Sequence, residues 1–172
     1  MTNQQSSLVV ELFLDRARVI GLIPNVSQNR RLVDVLGNQD LSIELEEAEA
    51  RLAGGSQSYR FSSMSLKKSD VLFAVPRETP NQIKARAMYR TGMSTQAQTS
   101  MPIGVLLSTC HIAGKTYVSS SMSRQKLEVA SFSHFFAIAE ASITQADGSK
   151  SEEPVVIVNR DAILAIGRPD AA

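Results

Sequence analysis

At 172 residues the chain is sized for one ordinary domain or two very small ones, and its 43% hydrophobic content is enough for a real core. With no Trp, six Phe and three Tyr, that core must be built mainly from Val, Leu, Ile and Ala. A formal net charge of +1 excludes a strongly electrostatic partner, but the charge is uneven. Residues 1–80 carry nine Lys/Arg against ten Asp/Glu, and residues 101–172 carry six against seven. Residues 81–100 hold Lys84, Arg86 and Arg90 with no acid.

In chain order, "LVVELFL" at 8–14 reads as a strand, followed by "VIGLIPN" with Gly21 inside a strand pattern, the mark of a bulge or close backbone approach. In "SQNRRLVDVLGN", Leu32, Val35 and Leu36 share one helical face, Ser27 or Asn29 would cap the start, and Gly37 stands where a helix ends. "LSIELEEAEARL" alternates in its first half, predicting a strand there, and turns helix-forming in composition from Glu46 to Arg51. "GGSQSYRFSSMSLKKS" reads as a polar loop or long hairpin, and "DVLFAV" as a strand ended by Pro76. Later, "IGVLLSTCHIAGKTYVS" predicts two strands with Gly114 in the second, "HFFAIAEASITQ" a third, and "PVVIVN" and "AILAIG" the last two.

The second series retells the first. Aligned at the glycines, Leu12-Phe13-Leu14 match Val105-Leu106-Leu107, and Val19 and Gly21 match Ile112 and Gly114. At the same offset Arg31 meets Arg124, Ile43 meets Phe136, and Glu47-Ala48 meets Glu140-Ala141. With a longer loop in the first half, "DVLFAVPRE" lies over "EPVVIVNRD", so that Val-X-Arg-acid recurs. The expected fold is therefore mainly β with short helices, an α+β chain. It is internally duplicated, as two small barrels or one merged β-sandwich with a pseudo-two-fold axis. Its parts would be a first repeat at 8–80, a basic connector at 81–100 and a second repeat at 101–169. One copy alone is marginal for independent stability, so shared packing is expected.

The curled-sheet scheme, the glycine in the second strand and the closing "VNRDAILAIG" pair resemble small Sm- or SH3-like β-barrel domains. They are also similar to uncharacterised bacterial domains ending in a Val-Asn-Arg-X-X-Ile strand. The resemblance implies two tandem barrels and an RNA-binding capacity. The helix predicted between strands two and three departs from the Sm arrangement, which places its helix before strand one.

Chemical apparatus is sparse. Cys110 is the one cysteine, which excludes an internal disulfide and fits a reducing compartment. Neither a signal-peptide pattern nor a run of 18 apolar residues is visible, so a soluble cytoplasmic chain is expected. A nucleophilic Cys110 would need a base; His111 points to the opposite strand face, which leaves His134. One Cys and two His are too few for a zinc site, and no cofactor or metal motif is recognisable. Glu44, Glu46, Glu47 and Glu49 read as a solvated face rather than a calcium loop. Arg77 and Arg160 read as strand-end residues bonding nearby carbonyls or acids.

Three functions follow as expectations. The first is a non-catalytic binding or scaffold module acting through protein–protein contacts, self-association included, by exposed strand edges or the connector. The second is a nucleic-acid-binding Sm-like module, in which Lys84, Arg86 and Arg90 hold phosphates and Tyr89 stacks a base. Arg30, Arg31, Arg124 and Lys126 are further candidate cations for it. An enzyme centred on Cys110 and His134 is a third.

Overall fold

The structure is a computed structural model, which describes residues 5–27, 30–77, 98–119 and 128–169. Among them the chain is mainly β and divides into two compact units, Met1–Ser94 and Thr95–Ala172. The second unit thus begins before residue 101, and residues 98–100, expected in the connector, belong to its first strand. Met101 and Ile103 are buried, and the β6 ladder extends past them to Gln98.

The first unit contains β1 (Gln5–Leu14), β2 (Ala17–Ser27), α1 (Leu32–Leu36), β3 (Ser42–Leu52), β4 (Ser58–Lys67) and β5 (Val71–Pro76). Its strands lie in the order β5-β1-β2-β3-β4, with antiparallel ladders. Leu8, Val10 and Leu12 of β1, Val19 and Ile23 of β2, and Ile43 and Leu45 of β3 are all buried, as period-two patterns demand. The predicted helical face of Leu32, Val35 and Leu36 is buried as well.

The cap of α1 differs from expectation. Ser27 ends β2, Asn29 lies outside the described residues, and the N-cap is Arg31. The Asp34 carboxylate accepts from the Arg31 backbone N–H (3.3 Å) and from its Nε and Nη2 (2.9 Å each). That bonding holds the Asp34 carboxyl below the usual carboxylate range. At the other end Lys68 is buried and donates from Nζ to the carbonyls of Val35 (3.4 Å) and Asn38 (3.3 Å), and to Asn38 Oδ1. Carbonyls left over at a helix C-terminus need such donors. Burial pulls the Lys68 ammonium below its ordinary pKa, against the opposing pull of Asp40.

The segment of helix-forming composition, Glu46–Arg51, is strand. The ladder to β4 runs from Ser42 to Arg51 on one side, and Ala17–Leu22 of β2 pairs with β3 on the other. Of the two readings of "GGSQSYRFSSMSLKKS", polar loop or long hairpin, the hairpin holds: Ser58–Lys67 is the strand β4, joined to β3 by a turn with Gly54 at φ +75°. Two ladders override the composition of β3, because a bulge lets its buried side continue. Burial in β3 falls on Ile43, Leu45 and then Ala48, skipping across Glu46 and Glu47. Glu47 adopts φ +49°, and the β2–β3 register shifts there, so Glu47 and Ala48 together oppose Gly21.

The second unit contains β6 (Gln98–Leu106), β7 (Cys110–Ser119), β8 (Phe135–Gln145), β9 (Lys150–Asn159) and β10 (Ala165–Gly167), with short 3-10 turns at Val129–Ser131 and Arg160–Ala162. Their order is β10-β6-β7-β8-β9. Within each unit, then, the fifth strand flanks the first, and the fourth lies at the far side. No described ladder joins the fourth strand to the fifth in either unit, so a barrel-closing pairing is not among the described ones. The bulge recurs: Glu140 takes φ +50°, the β7–β8 register shifts, and burial in β8 passes from Ile138 to Ala141 opposite Gly114.

The match of "DVLFAVPRE" with "EPVVIVNRD" does not hold. The first run is β5, fifth in its unit, and the second is β9, fourth in its own. Two buried β-branched strands share a composition whatever their order, and the longer gap aligned the wrong pair. The counterparts by position are two 3-10 turns between fourth and fifth strands, opened by Lys68 and by Arg160.

The bulge glycines generate a prediction. A Cβ on Gly114 would meet Ala139 O and Ile138 Cγ2 at 2.6 Å, while one on Gly21 would meet Leu45 Cβ, Ala48 Cβ and Glu46 O at 3.2–3.3 Å. Gly114→Ala is expected to destabilise by about 1–3 kcal/mol, and more than Gly21→Ala. Urea denaturation checks the order; equal midpoints for the two variants would contradict the close approach at Gly114.

Candidate functional site

The residues singled out from sequence are not gathered in one place. Lys84, Arg86, Tyr89 and Arg90, with Arg124 and Lys126, lie outside the described residues. Arg31 is engaged by Asp34. Cys110 stands opposite Gln145 at one end of the β7–β8 ladder, whereas His134 precedes β8 at the other end. The thiol is buried, and desolvation raises its pKa. Ladder geometry therefore separates the proposed nucleophile from its proposed base. His134 Nδ1 instead lies 3.2 Å from Asp161 Oδ2.

The arginines at the two corners do what strand-end cations were expected to do. Arg160 donates from Nη1 to Phe132 O (2.9 Å) and from Nε to Asp161 Oδ1 (3.3 Å), and the Asn159 side chain accepts from Asp161 N (3.0 Å). Arg77 donates to Glu11 Oε2 from Nε (2.8 Å), with Nη2 at 2.6 Å from the same oxygen. The Arg18 guanidinium lies against the other oxygen of Glu11 and 5.4 Å from the centre of the Phe13 ring, which stacks on Phe73 at 4.2 Å. Glu11 is fully buried in the middle of β1, so two arginines balance one carboxylate removed from water. Sequence reading passed over Glu11; its signal was a lone acid inside the apolar run "LVVELFL".

The feature that stands open is β4. It lies at one end of its sheet, pairs with β3 from Ser58 to Lys67, and has no second ladder among the described residues. Tyr59 and Phe61 face Ala50 and Ala48 across the ladder, and both aromatic residues are 42% exposed. Met64 and Leu66 face Leu45 and Ile43 and are half-buried. An open depression of ≈ 410 Å³ adjoins Phe61, lined by Glu47, Ala48, Glu49, Arg60, Phe61 and Ser62. Glu49 in it accepts from Arg51 Nη2 (2.8 Å) and Nε (3.0 Å), which holds its carboxyl below the usual range; Arg60 approaches to 3.8 Å.

A strand edge presents alternate N–H and C=O groups without partners, and proteins usually blunt it with proline, a run of charges or short length. In "SYRFSSMSLK" there is no proline or glycine, and the only charged residues are Arg60 and Lys67. Such an edge can accept another extended chain. Sequence reading left this stretch between loop and hairpin because serine-rich composition masked the alternation of Tyr59 and Phe61, then Met64 and Leu66. The break in phase at Ser62-Ser63 lies across from the β3 bulge.

No family, curated protein or solved structure matches the chain. Its own geometry carries the functional reading. Among the described residues no group of His, Cys, Asp and Glu is placed to hold a metal ion, and no helix is long and apolar enough to cross a membrane.

Two predictions arise from these side chains. Glu11→Gln removes the shared carboxylate; Arg18 and Arg77, 52% and 37% exposed, can turn partly to water. A loss of about 2–3 kcal/mol is expected in denaturant unfolding, below the full penalty of an orphaned buried charge. An unchanged midpoint would mean that the triad contributes nothing. For Cys110, maleimide labelling at neutral pH should be orders of magnitude slower in the native protein than in denaturant, since burial favours the unreactive thiol. Rapid native labelling would reopen a nucleophilic role.

Proposed function

We propose that this chain is a non-catalytic protein-binding module, internally duplicated, which takes an extended segment of a protein partner onto the free edge of β4. The observation that carries the reading is a ten-residue strand paired along one side, with Tyr59 and Phe61 exposed on it. Main-chain bonds along such an edge supply affinity, and flanking side chains supply selectivity. The duplication is supported by the common strand order of the two units and by the left-handed glutamates opposite Gly21 and Gly114. One buried cysteine accords with a soluble chain in a reducing compartment.

Selection of displayed random peptides against the full chain tests the reading. Peptides rich in β-branched residues should be selected, and their binding should fall at least tenfold on Tyr59→Lys/Phe61→Lys, with the chain still folded by circular dichroism because both side chains only half enter the core. Failure to select any peptide, or binding indifferent to the double variant, would overturn it.

A further inference from the structure

The charge along β4 limits what can lie beside it. Arg60 and Lys67 are its only charged residues, and both are cations. The Arg60 side chain is 86% exposed, and the carboxylate it approaches at 3.8 Å is already held by two nitrogens of Arg51. Lys67 has no ion pair among the described residues, where it stands across from Ser42. Direct cross-strand neighbours lie about 5 Å apart, and unlike charges there are favourable. The exposed acids Glu44, Glu46 and Glu47 belong to β3, two strand spacings from an added strand. That is roughly 10 Å, about one Debye length at 0.1 M salt, so β4 dominates the selection of charge.

A second copy of β4 fits poorly. In an antiparallel ladder with a two-fold axis, some residue must face its own copy, because hydrogen-bonded and open pairs alternate. The two longest registers of that kind centre on Ser62 or on Ser63. The first sets Tyr59 and Phe61 against Ser65 and Ser63; the second sets them against Lys67 and Ser65. Each wastes the apolar positions, and neither brings a carboxylate to Arg60 or Lys67.

We infer that the occupant of the β4 edge is an extended segment of a different protein, with apolar residues facing Tyr59, Phe61, Met64 and Leu66 and carboxylates facing Arg60 and Lys67. This rests on the proposed function and specifies the chemistry of the partner.

The test uses the full chain and a capped peptide, Glu-Val-Thr-Ile-Thr-Ser-Val-Glu-Ile-Thr, which meets these demands in antiparallel register. Its reversed-order form serves parallel pairing, and a twin of each carries Lys for both Glu. By calorimetry at 0.15 M salt, an acidic form should bind about tenfold more tightly than its twin. Arg60→Glu/Lys67→Glu, at exposed positions, should reverse that preference without changing the melting temperature. Equal binding of acidic and lysine forms, or preference for lysine, would overturn the inference while leaving strand addition intact. So would sedimentation showing a dimer that Tyr59→Lys/Phe61→Lys dissolves, with no peptide bound. If no peptide binds, displayed selection yields nothing and the chain stays monomeric, the edge reading itself falls.

Discussion

The geometry of the first unit depends on one extra residue in β3. Glu47 takes a left-handed conformation that a non-glycine residue rarely adopts, at a cost of order 1 kcal/mol or more. In return Leu45 and Ala48 are both buried, although three positions separate them in a strand of period two. The bulge needs room on the neighbouring strand, and Gly21 supplies it: Leu45 Cβ and Ala48 Cβ already crowd the place where its Cβ would stand. The second unit makes the same exchange more tightly at Glu140 and Gly114. Because β4 stays in unbroken register with β3, its apolar positions must change phase at the same level. The edge therefore carries two apolar pairs with a serine pair between them.

Charge serves the fold at its joints. Buried Lys68 meets the carbonyl ends of α1, and Arg160 meets Phe132 O after the 3-10 turn. In both units the cation opens the turn between the fourth and fifth strands and binds the segment between the second and third. A loop carbonyl would otherwise lose water without gaining a donor, so the cation stabilises the crossing of two connections. This accounts for Arg160 in the "VNRD" corner without invoking a ligand.

Much of this was legible in the residues themselves. Short apolar runs located β1 and β5, alternation located the early part of β3, and the 3.6-residue period located α1. Gly21 and Gly114 marked close approach, and the structure places a bulge opposite each. Glu46–Arg51 was ambiguous since tertiary pairing, not propensity, decides a strand with partners on both sides. β4 was least legible, because an edge strand buries little and so loses the strong alternation of a core strand. The corner match failed for the opposite reason: buried runs such as Val71–Val75 and Val155–Val158 are apolar throughout, which erases register. Of the cations chosen for binding, only Arg30 and Arg31 fall among the described residues.

The two fourth strands differ in their side chains. β9 carries Pro154, which removes a backbone donor, and its Val156, Ile157 and Val158 are buried whichever way they point. β4 has neither the proline nor the buried aliphatic run; serines, two cations and two aromatic residues stand in their place. Within its own unit each is the fourth strand. At the edge position of β4, Tyr59 and Phe61 only half enter the core, so charged residues there would cost the fold little.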